Sequence, residues 1–405
     1  MEKKTSVLIV HNYYQLPGGE DSVVANEKRL LEEQGHKVVL YTRDNKELQG
    51  KELLTKLLLP FSAVFNFRTY REVGKLIKEE KIDIVHVHNT LMLVSPSVYY
   101  AALRHHTPVV QTMHNFRLLC PGATFYRDGH ICEECVTKGL GCAVKHKCYR
   151  QSRLQTFLCV LNTWIHRMTG VYGKINYICL TEFNREKLLR INEGKKGKEK
   201  KVVSPEKIFV KPNFTFGIGD RDSGKTGVRL GKGYYLFVGR VERIKGIDLL
   251  LDAFRKLQDR VLVIAGTGME WEHYKEKAPK NVEFKGYLQG KKLEELLFGA
   301  KAVIVASQCY ETFGMVIAEA YAVGKPVIAG NIGNMDWMVE ERGTGGTGIK
   351  FQYDSSEALI DAIQRFEKTD IDWAGSTYRR YVDEFSPESN YRLLMSVYGR
   401  VTENQ

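Results

Sequence analysis

Residues 302–330, AVIVASQCYETFGMVIAEAYAVGKPVIAG, determine the fold prediction, because two short apolar runs flank a stretch of helical character. AVIVAS and KPVIAG have the length and β-branched content of buried strands. The segment between them carries apolar residues at helical spacing from Phe313 or Gly314 onward. A strand, a helix and a second strand within about thirty residues predict a parallel βαβ unit.

The same alternation extends outward in both directions from this unit. In the second half, further strands are predicted at YYLFVGR (234–240), VLVIAG (261–266) and VEFKGYL (282–288), with a helix at IDLLLDAFRKLQ (247–258). In the first half, strands are predicted at residues 6–12, 36–42, 82–89 and 108–115, and helices at 21–35 and 95–106. Repeated βα units predict parallel sheets covered by helices, an α/β fold class.

The length of 405 residues exceeds what one hydrophobic core usually organises and predicts two domains. A Lys-rich stretch at 192–201 and a Gly-rich stretch at 216–233 mark the boundary. We expect two α/β domains in tandem, the first at 1–215 and the second at 216–385. The last predicted helix, about 386–405, is expected to pack back on the first domain.

Composition excludes several classes of protein. With 43% hydrophobic and 11% aromatic residues, the chain is not expected to be disordered. The first apolar run is too short for a signal-peptide core, and no run approaches a membrane span, so we expect a cytoplasmic protein. The net charge of +12 divides into +13 for residues 1–215 and −1 for 216–405. This division favours an anionic surface as partner of the first domain over nucleic acid.

Two glycine-rich motifs match phosphate-binding patterns but stand in the wrong context. GDRDSGKT (219–226) fits the P-loop pattern, yet its own aspartates would face the phosphate and no helix start follows. GTGGTG (343–348) fits the dinucleotide fingerprint, yet a helix-like stretch precedes it and a strand-like stretch follows, the reverse of the required order. We interpret both as loops.

A pair of carboxylates lies in the stretch that determines the fold. Glu311 falls in the loop after the strand, and Glu319 falls eight residues later on the predicted helix, so both can address one ligand. The unpaired amides of Thr312–Met315 would meet an anion, and Gly314 would let the backbone approach it closely. This combination predicts a site for a phosphorylated ligand.

Four motifs together resemble a known family. ETFGMVIAE (311–319), GR (239–240), IKG (244–246) and PGG (17–19) occur in the order found in glycosyltransferase family 4, whose members have the GT-B fold. The resemblance covers most of the chain, and it implies two Rossmann-like, doubly wound domains facing a cleft, an acceptor-side domain at 1–215 and a nucleotide-sugar-binding domain at 216–385. It implies a retaining, metal-independent transferase that moves a sugar from a UDP- or GDP-linked donor to a polysaccharide or lipid-linked glycan precursor.

The resemblance also implies roles for individual residues. Arg240 and Lys245 match the basic pair that neutralises the donor diphosphate, and Glu319 matches the carboxylate that binds the ribose hydroxyls. Glu311 matches the carboxylate near the donor sugar, and neither carboxylate needs to be a nucleophile if the leaving diphosphate takes the acceptor proton. His114, at the end of a first-domain strand, matches the histidine that contacts the sugar. The further expected donor contacts are Gly18, Gly19, Gly239, Phe313, Gly314 and Met315.

Five cysteines lie between Cys120 and Cys148, around a CEEC knuckle. In the cytoplasm a disulfide framework is not expected. A tetrahedral structural zinc held by Cys120, Cys132, Cys135 and Cys148 would order this polar loop, and similar loops occur in relatives of this kind. Reduced thiols without metal are the alternative, since only one CxxC is present. No cofactor is expected for catalysis itself.

Residues 51–78 interleave Lys and Arg with Leu and Phe. They fit either a basic amphipathic surface on an anionic membrane or two ordinary core-facing helices broken at Pro60. A peripheral position on the inner face of the membrane would bring the enzyme to a lipid-linked acceptor. Two other functions are compatible with this sequence: a nucleotide-sugar epimerase on the same scaffold, and a non-catalytic basic adaptor at the membrane.

Overall fold

The structure is a computed structural model that describes residues 4–14, 18–48, 60–193, 201–217, 233–341 and 345–403. The chain divides into two compact units. Unit 1 comprises residues 1–124, 133–213 and 390–405, and unit 2 comprises residues 125–132 and 214–389. The P-loop-like motif at 219–226 and residues 49–59 lie outside the described residues.

Unit 1 is built on a six-stranded parallel sheet with the order β2-β1-β3-β4-β7-β8. Its strands are β1 Ser6–Tyr13, β2 Lys37–Asp44, β3 Ile84–Val87, β4 Val109–Thr112, β7 Asn176–Cys179 and β8 Ile208–Val210. Every residue of β3 and β4 is buried, as expected for a parallel sheet covered on both faces. The helices of this part of the chain are α1 Gly19–Glu33, α2 Phe67–Glu79, α3 Ser97–Arg104, α4 Glu134–Thr137, α5 Gly141–Lys145, α6 Arg153–Met168 and α7 Glu182–Leu189.

A short antiparallel hairpin, β5 Tyr126–Arg127 and β6 His130–Ile131, interrupts unit 1 in sequence but belongs to unit 2. The Phe125 ring packs edge-on against Tyr310, with 6.0 Å between centroids. Tyr310 lies in the loop that follows the strand Ala300–Val305. The hairpin therefore packs beside that loop within unit 2.

Unit 2 has a second six-stranded parallel sheet with the order β11-β10-β9-β12-β13-β14. Its strands are β9 Tyr234–Val238, β10 Leu262–Ala265, β11 Val282–Gly286, β12 Ala300–Val305, β13 Val327–Gly330 and β14 Gly348–Phe351. Its helices are α8 Ile247–Lys256, α9 Trp271–Lys277, α10 Lys291–Gly299, α11 Met315–Ala322, α12 Met335–Met338, α13 Ser356–Lys368 and α14 Trp373–Arg380. The predicted α/β class with two doubly wound parallel sheets is confirmed.

The core of unit 2 forms where α8 and α13 cover one face of the sheet. Tyr235, Phe254, Ile264 and Ile304 are buried together with Phe366. Residues Leu249–Leu251 of α8 are buried in the same cluster, because the helix turns its apolar side to the strands. This packing fixes the ends of β9 and β12, where the candidate site residues follow.

The last helix, α15 Pro387–Glu403, begins in unit 2 and continues in unit 1 from residue 390. Within unit 1, Tyr391 lies 2.9 Å from His36 Nε2 and the Tyr398 hydroxyl lies 2.7 Å from His86 Nδ1. The two tyrosines therefore anchor this helix to the unit 1 sheet and its neighbourhood.

The glycine-rich segment 343–348 lies between α12 and β14, so the predicted order of helix first and strand second is confirmed. Its first residues lie outside the described part of the chain. In the described residues, no helix is both long enough and apolar enough to cross a bilayer.

Candidate functional site

The candidate site of unit 2 lies at the carboxyl ends of β9 and β12, which are neighbours in the sheet. From β9 the chain continues to β10 on one side, whereas β12 lies on the other side. Ligands of open α/β sheets bind at this kind of switch point, beyond the carboxyl ends of the strands. Gly239 and Arg240 follow β9, and the loop Ser307–Glu311 follows β12.

Lys245 and Glu311 form an ion pair at this edge. Lys245 Nζ donates to Glu311 Oε1 at 2.5 Å, and Ser307 Oγ donates to the same oxygen at 2.5 Å. Burial alone would raise the pKa of the Glu311 carboxyl, but the Lys245 ammonium and the Ser307 hydroxyl lower it below its ordinary value. Burial would likewise lower the pKa of Lys245, and the Glu311 carboxylate raises it instead. Both side chains are therefore charged at neutral pH.

Close backbone packing holds the two loops together. Gly246 has φ +78°, and a Cβ atom there would lie 2.0 Å from the carbonyl oxygen of Ala306. Gln308 N–H donates to the Ile244 carbonyl at 2.9 Å. These contacts fix the loop carrying Lys245 against the loop carrying Glu311, since only glycine fits at the point of closest approach.

Arg240 is the most exposed charge of the group. Its side chain is 56% exposed, and Nη1 donates to Glu242 Oε1 at 3.2 Å. Its charge contributes, after Lys245 and Ser307, to the lowered pKa of Glu311. Of the two cations, the half-exposed Arg240 is the one that solvent and an anionic group can reach most easily.

Helix α11 starts directly after the Glu311 loop. Its N-cap is Gly314, with φ +96° and ψ 65°, so the helix begins at Met315 and the predicted start at Phe313 or Gly314 is wrong by one or two residues. The left-handed conformation of Gly314 explains the shift, because it cannot be part of the helix.

Phe313 contributes to the core through its side chain. The ring is 2% exposed and packs edge-on against Phe385 at 5.6 Å. The Phe313 carbonyl accepts a hydrogen bond from Asn334 Nδ2 at 2.8 Å. Any contact of Phe313 with a ligand would therefore come from its backbone N–H, and Asn334 helps to hold that segment.

Glu319 lies on the second turn of α11 in a different environment from Glu311. Burial raises the pKa of its carboxyl to about 7, and no neighbouring charge among the described residues contributes to the shift. The structure therefore keeps the two glutamates electrostatically separate. Glu311 is held ionised by Lys245, whereas Glu319 titrates near neutrality.

In unit 1, the glycines predicted to contact the donor begin α1. Gly18 N–H donates to Asp21 Oδ2 at 2.8 Å, and Asp21 Oδ1 lies 2.8 Å from His11 Nε2. Burial, with the neighbouring Asp21 charge, raises the pKa of Glu20 to about 8. Because carboxyl groups surround this helix start, it suits the hydroxyl groups of a sugar better than a phosphate.

His114 follows β4 and belongs to a buried polar network in unit 1. His88 Nδ1 lies 2.9 Å from His114 Nε2, and the two rings are stacked. Burial and the neighbouring His88 hold the pKa of His114 well below its ordinary value. Behind His88, the carboxylate of Glu27 lies 3.2 Å from His88 Nε2, and Lys211 Nζ donates to Glu27 Oε1 at 2.8 Å.

Comparison with known families gives two matches in the same chain. Residues 17–130 match the family described as Glycosyltransferase Family 4, and residues 220–385 match the family described as Glycosyl transferases group 1. The matched regions contain Gly18, His114, Arg240, Lys245, Glu311 and Glu319. The chain is a glycosyltransferase of the family 4 type.

Individual relatives of the glycosyltransferase are distant. An uncharacterized glycosyltransferase of Methanocaldococcus jannaschii is 27% identical over 53% of this chain and 60% of its own length, so the chain spans less than two thirds of that relative. The alpha-monoglucosyldiacylglycerol synthase of Streptococcus pneumoniae is 24% identical over 88% of this chain and 77% of its own length. The crystal structure of HepE from Anabaena in complex with UDP-glucose has a TM-score of 0.62 at 16% identity, covering 97% of this chain and 99% of HepE. The glycosyltransferase thus has the GT-B fold.

Among the described residues of the glycosyltransferase, two groups of side chains are close enough to be considered as metal sites. They are Glu27 with His86 and His88, and His11 with Glu20 and Asp21. In the first group, the Lys211 ammonium already neutralises the Glu27 carboxylate, and both ring nitrogens of His86 have hydrogen-bonding neighbours, Tyr398 and Thr112. This group is therefore a hydrogen-bond network rather than a cation site.

The cysteines of the glycosyltransferase divide between the two units. Cys120, Cys135, Cys142 and Cys148 belong to unit 1, whereas Cys132 belongs to unit 2 with the hairpin. Burial first, and then the neighbouring Cys120, Cys148 and Cys142, raise the pKa of the Cys135 thiol to about 12. Cys142, which the sequence-based ligand set omits, is therefore a neighbour of Cys135. No three of these sulfur atoms come within 4.8 Å of one another in the described residues.

Several residues of the site were not predicted from the sequence. Ser307 and Gln308 support Glu311 and its loop, and Glu27 and Lys211 support His88. Ser307 stands four residues before Glu311 in the sequence. This spacing indicates a contact between them only if the loop folds back, which the sequence does not show. Glu27 and Lys211 are 184 residues apart, so their pairing has no local signal in the sequence.

Proposed function

We propose that this enzyme is a retaining, metal-independent glycosyltransferase whose unit 2 binds the diphosphate of a UDP- or GDP-linked sugar. The observation that carries the proposal is the ion pair of Lys245 and Glu311 with Arg240 beside it, at the switch point between β9 and β12. Two cations and a helix start provide the charge that a metal ion would otherwise supply to a leaving diphosphate.

In the proposed reaction, the acceptor hydroxyl oxygen forms a bond to the anomeric carbon while the bond from that carbon to the diphosphate oxygen breaks. The hydroxyl proton passes to the leaving phosphate oxygen, so the transfer needs no carboxylate nucleophile. Arg240 and Lys245 stabilise the negative charge that develops on the diphosphate. Glu311 holds the Lys245 ammonium in place, and Glu319 accepts hydrogen bonds from the ribose hydroxyls.

The acceptor is proposed to be a glycan or a lipid-linked glycan precursor. The carboxyl-lined helix start at Gly18–Asp21 suits sugar hydroxyls, and the streptococcal relative is named a synthase of a glucosylated diacylglycerol. The basic charge of residues 1–215 would draw the enzyme to an anionic membrane surface. Loss of vesicle binding on added salt would support this part of the proposal, and no binding to anionic vesicles at low salt would refute it.

A panel of nucleotide sugars tests the donor assignment. In the presence of EDTA, nucleotide sugars with one particular nucleobase should raise the melting temperature of the enzyme. The nucleoside diphosphate alone should also raise it. Neither should raise the melting temperature of Lys245→Ala. An exposed lysine of the same unit, Lys256, gives the matched control Lys256→Ala, which should respond like the wild type. Stabilisation that appears only with added Mg²⁺ would contradict the proposal that donor binding is independent of metal.

We also propose that the cysteine loop holds one structural zinc ion. Among the thiols of unit 1, Cys120, Cys142 and Cys148 neighbour Cys135, and their mutual repulsion as thiolates would be relieved by a dication. Cys132, which the sequence analysis included among the zinc ligands, belongs to unit 2. Binding zinc would require the four sulfur atoms to move closer together.

Metal analysis separates the two ligand sets. Protein purified without chelators should contain close to one zinc per chain, and Cys142→Ser should lose it whereas Cys132→Ser should retain it. If Cys142→Ser kept its zinc and Cys132→Ser lost it, the ligands would be the four cysteines predicted from the sequence. Well under one zinc per chain in the wild type would remove the proposal.

A further inference from the structure

Helix α6, Arg153–Met168, presents an apolar stripe to solvent. Leu154 is 68% exposed, Trp164 54% and Met168 69%, and Phe157 is also exposed. With the partly buried Leu161, these residues repeat at intervals of three and four, so they lie along one side of the helix. We call this stripe the α6 face. A monomeric soluble protein rarely exposes a contiguous row of this kind without a partner.

Helix α6 also contacts a neighbouring part of unit 1. Asn162 Nδ2 donates to the Ala63 carbonyl at 3.2 Å, and His166 Nε2 lies 2.9 Å from the Val64 carbonyl. These contacts hold the segment at 60–67, where Phe61 is 74% exposed and Phe67 is 70% exposed. Two further exposed aromatic rings are thus attached to α6, on a side of the helix other than the stripe.

The part of the sequence that contains α6 is basic. Residues 135–181 contain seven Lys and Arg residues and no Asp or Glu. A groove of about 550 Å³ opens between α2, α3 and the end of α6, with aromatic walls that include Phe67, and exposed Arg104 and Lys174 lie among its lining residues. An apolar surface with cations at its edge matches a bilayer of anionic lipids, in which acyl chains lie beneath phosphate groups.

We propose that the α6 face is the membrane-docking surface of the enzyme, lying in the plane of an anionic lipid interface with Phe157 and Trp164 inserted. This proposal rests on the proposed function, which places the acceptor at a membrane. A second copy of the chain is a poorer occupant, because two faces with the same basic surroundings repel each other. Indole rings favour the lipid–water interface, since they are apolar with one polar N–H.

Vesicle co-sedimentation with phosphatidylglycerol and phosphatidylcholine tests the proposal. Phe157→Ser/Trp164→Ser should weaken binding by at least about tenfold, since two large apolar side chains leave the interface. Met269→Ser/Tyr287→Ser removes two comparably exposed side chains of unit 2 and should bind like the wild type. Trp164 emission should shift to shorter wavelength on anionic vesicles.

Equal vesicle binding by the α6 variant and the wild type would overturn the proposal. A wild-type dimer that the α6 variant converts to a monomer would also overturn it, by assigning the face to a second copy. Donor-induced thermal stabilisation, measured on the same variants without lipid, should be unchanged. A loss there in the wild type would count against the proposed function and not against the docking surface.

The buried network behind His114 carries a second, independent inference. Glu27 is fully buried at the centre of unit 1, and Lys211 Nζ donates to its Oε1 at 2.8 Å. Its other oxygen, Oε2, lies 3.2 Å from His88 Nε2, close enough for a proton between the two atoms. Neither of these two buried atoms has another hydrogen-bond partner, so a proton on His88 Nε2 is the arrangement that satisfies both.

The position of the His88 proton determines where His114 carries its own proton, because the two rings are in contact. Lys211 Nζ donates to Glu27 and balances its charge, so a second cation on the buried His88 would lack a counter-ion. A neutral His88 with its proton on Nε2 has an acceptor at Nδ1. The 2.9 Å contact then requires a proton on His114 Nε2.

We infer that Glu27 and His88 are positioning residues that keep His114 in the tautomer with Nε2 protonated and Nδ1 unprotonated. In this tautomer Nδ1 can accept a hydrogen bond from a sugar hydroxyl but cannot donate one. The inference rests on the proposed function only for the identity of that sugar, because the tautomer is a property of the enzyme without ligand.

Long-range ¹H–¹⁵N NMR of histidine-labelled enzyme tests this tautomer directly. The His114 signals, assigned by their loss in His114→Asn, should show a protonated Nε2 and an unprotonated Nδ1. A protonated Nδ1 in the wild type would overturn the inference, whatever the activity. Glu27→Leu/Lys211→Met removes both charges together with the oxygen that accepts from His88, and should change the His114 signals, while His273 of unit 2 serves as an unaffected reference. His114 signals unchanged by this variant would overturn the positioning role.

Discussion

At the scale of single residues, the site depends on charges whose states are set by their neighbours. The pattern of Glu311 and Glu319 eight residues apart predicted one ligand for both, and the structure gives the two carboxyls different environments. Two residues cause this difference. Lys245 reaches Glu311 from a separate loop, and Ser307 reaches it because the loop after β12 folds back on itself. Sequence therefore indicated the residue types but not their ionisation.

Removal of the Arg240 charge should reduce transfer strongly. Arg240→Ala should lower kcat by about 10² to 10³, because the developing charge on the diphosphate loses one of its two cations. The fold should remain intact, since the side chain is more than half exposed. Steady-state kinetics with Arg255→Ala, an exposed arginine of α8, as control would measure the effect. Full transfer by Arg240→Ala would contradict the site assignment.

Glu319 should make stability depend on pH in a defined direction. Its folded pKa of about 7 lies above the model-compound value of 4.5, so its ionisation destabilises the fold increasingly as pH rises from about 4.5 to 7. Glu319→Gln should therefore be more stable than the wild type at pH 8, by up to about 3 kcal/mol. The difference should vanish near pH 4.5.

Thermal unfolding of unit 2 across this pH range would measure the Glu319 effect. The exposed Glu272→Gln of α9 is the matched control and should show no such trend. A Glu319→Gln variant that is less stable than the wild type at pH 8 would show that the carboxylate makes stabilising contacts when ionised.

At the scale of secondary-structure elements, the sequence predicted the strands well because their periodicity and turn residues agree. Strands β1, β9 and β12 fall where short β-branched runs predicted them. The sequence analysis missed α6 and β7, the first because its exposed side is as apolar as its buried side. Such a helix has no clear amphipathic pattern, and its exposed apolar side is the surface that we propose docks on the membrane.

The Gly246 turn should tolerate no side chain. Gly246→Ala combines a left-handed φ of +78° with a Cβ that would lie 2.0 Å from the Ala306 oxygen. Gly286 has φ +74° with no atom within 4 Å of the added Cβ, so Gly286→Ala isolates the conformational cost, about 1–2 kcal/mol. Gly246→Ala should lower Tm markedly more than Gly286→Ala and should also weaken donor binding, because Lys245 would shift.

Differential scanning calorimetry and donor titration on the two glycine variants would measure this. Equal shifts in Tm for Gly246→Ala and Gly286→Ala would show that the two loops can separate without cost. In that case the close approach of Gly246 to Ala306 would not be what positions Lys245 against Glu311.

At the scale of the whole molecule, composition and periodicity predicted two α/β units, and the structure has two six-stranded parallel sheets. Pairings between distant residues could not be predicted. The hairpin at residues 126–131 belongs to unit 2 although unit 1 surrounds it in sequence, and Lys211 reaches Glu27 across 184 residues. These pairings are set by topology, which local patterns do not encode.

Breaking the buried Glu27–Lys211 pair should strongly destabilise unit 1. Lys211→Met leaves Glu27 buried without its partner and should cost about 3–5 kcal/mol. Glu27→Gln/Lys211→Met removes both charges and should recover most of the loss. Denaturant unfolding of the three proteins would measure it. A double variant as unstable as Lys211→Met would show that the carboxylate and the ammonium act independently.

The most direct test is product analysis by NMR after incubation with the stabilising nucleotide sugar and a glycolipid acceptor in EDTA. We predict a new glycosidic bond with the anomeric configuration of the donor, formed without metal by the wild type and lost in Lys245→Ala. An inverted anomeric centre, a donor epimerised without transfer, or transfer that requires a divalent metal would contradict a retaining, metal-independent glycosyltransferase.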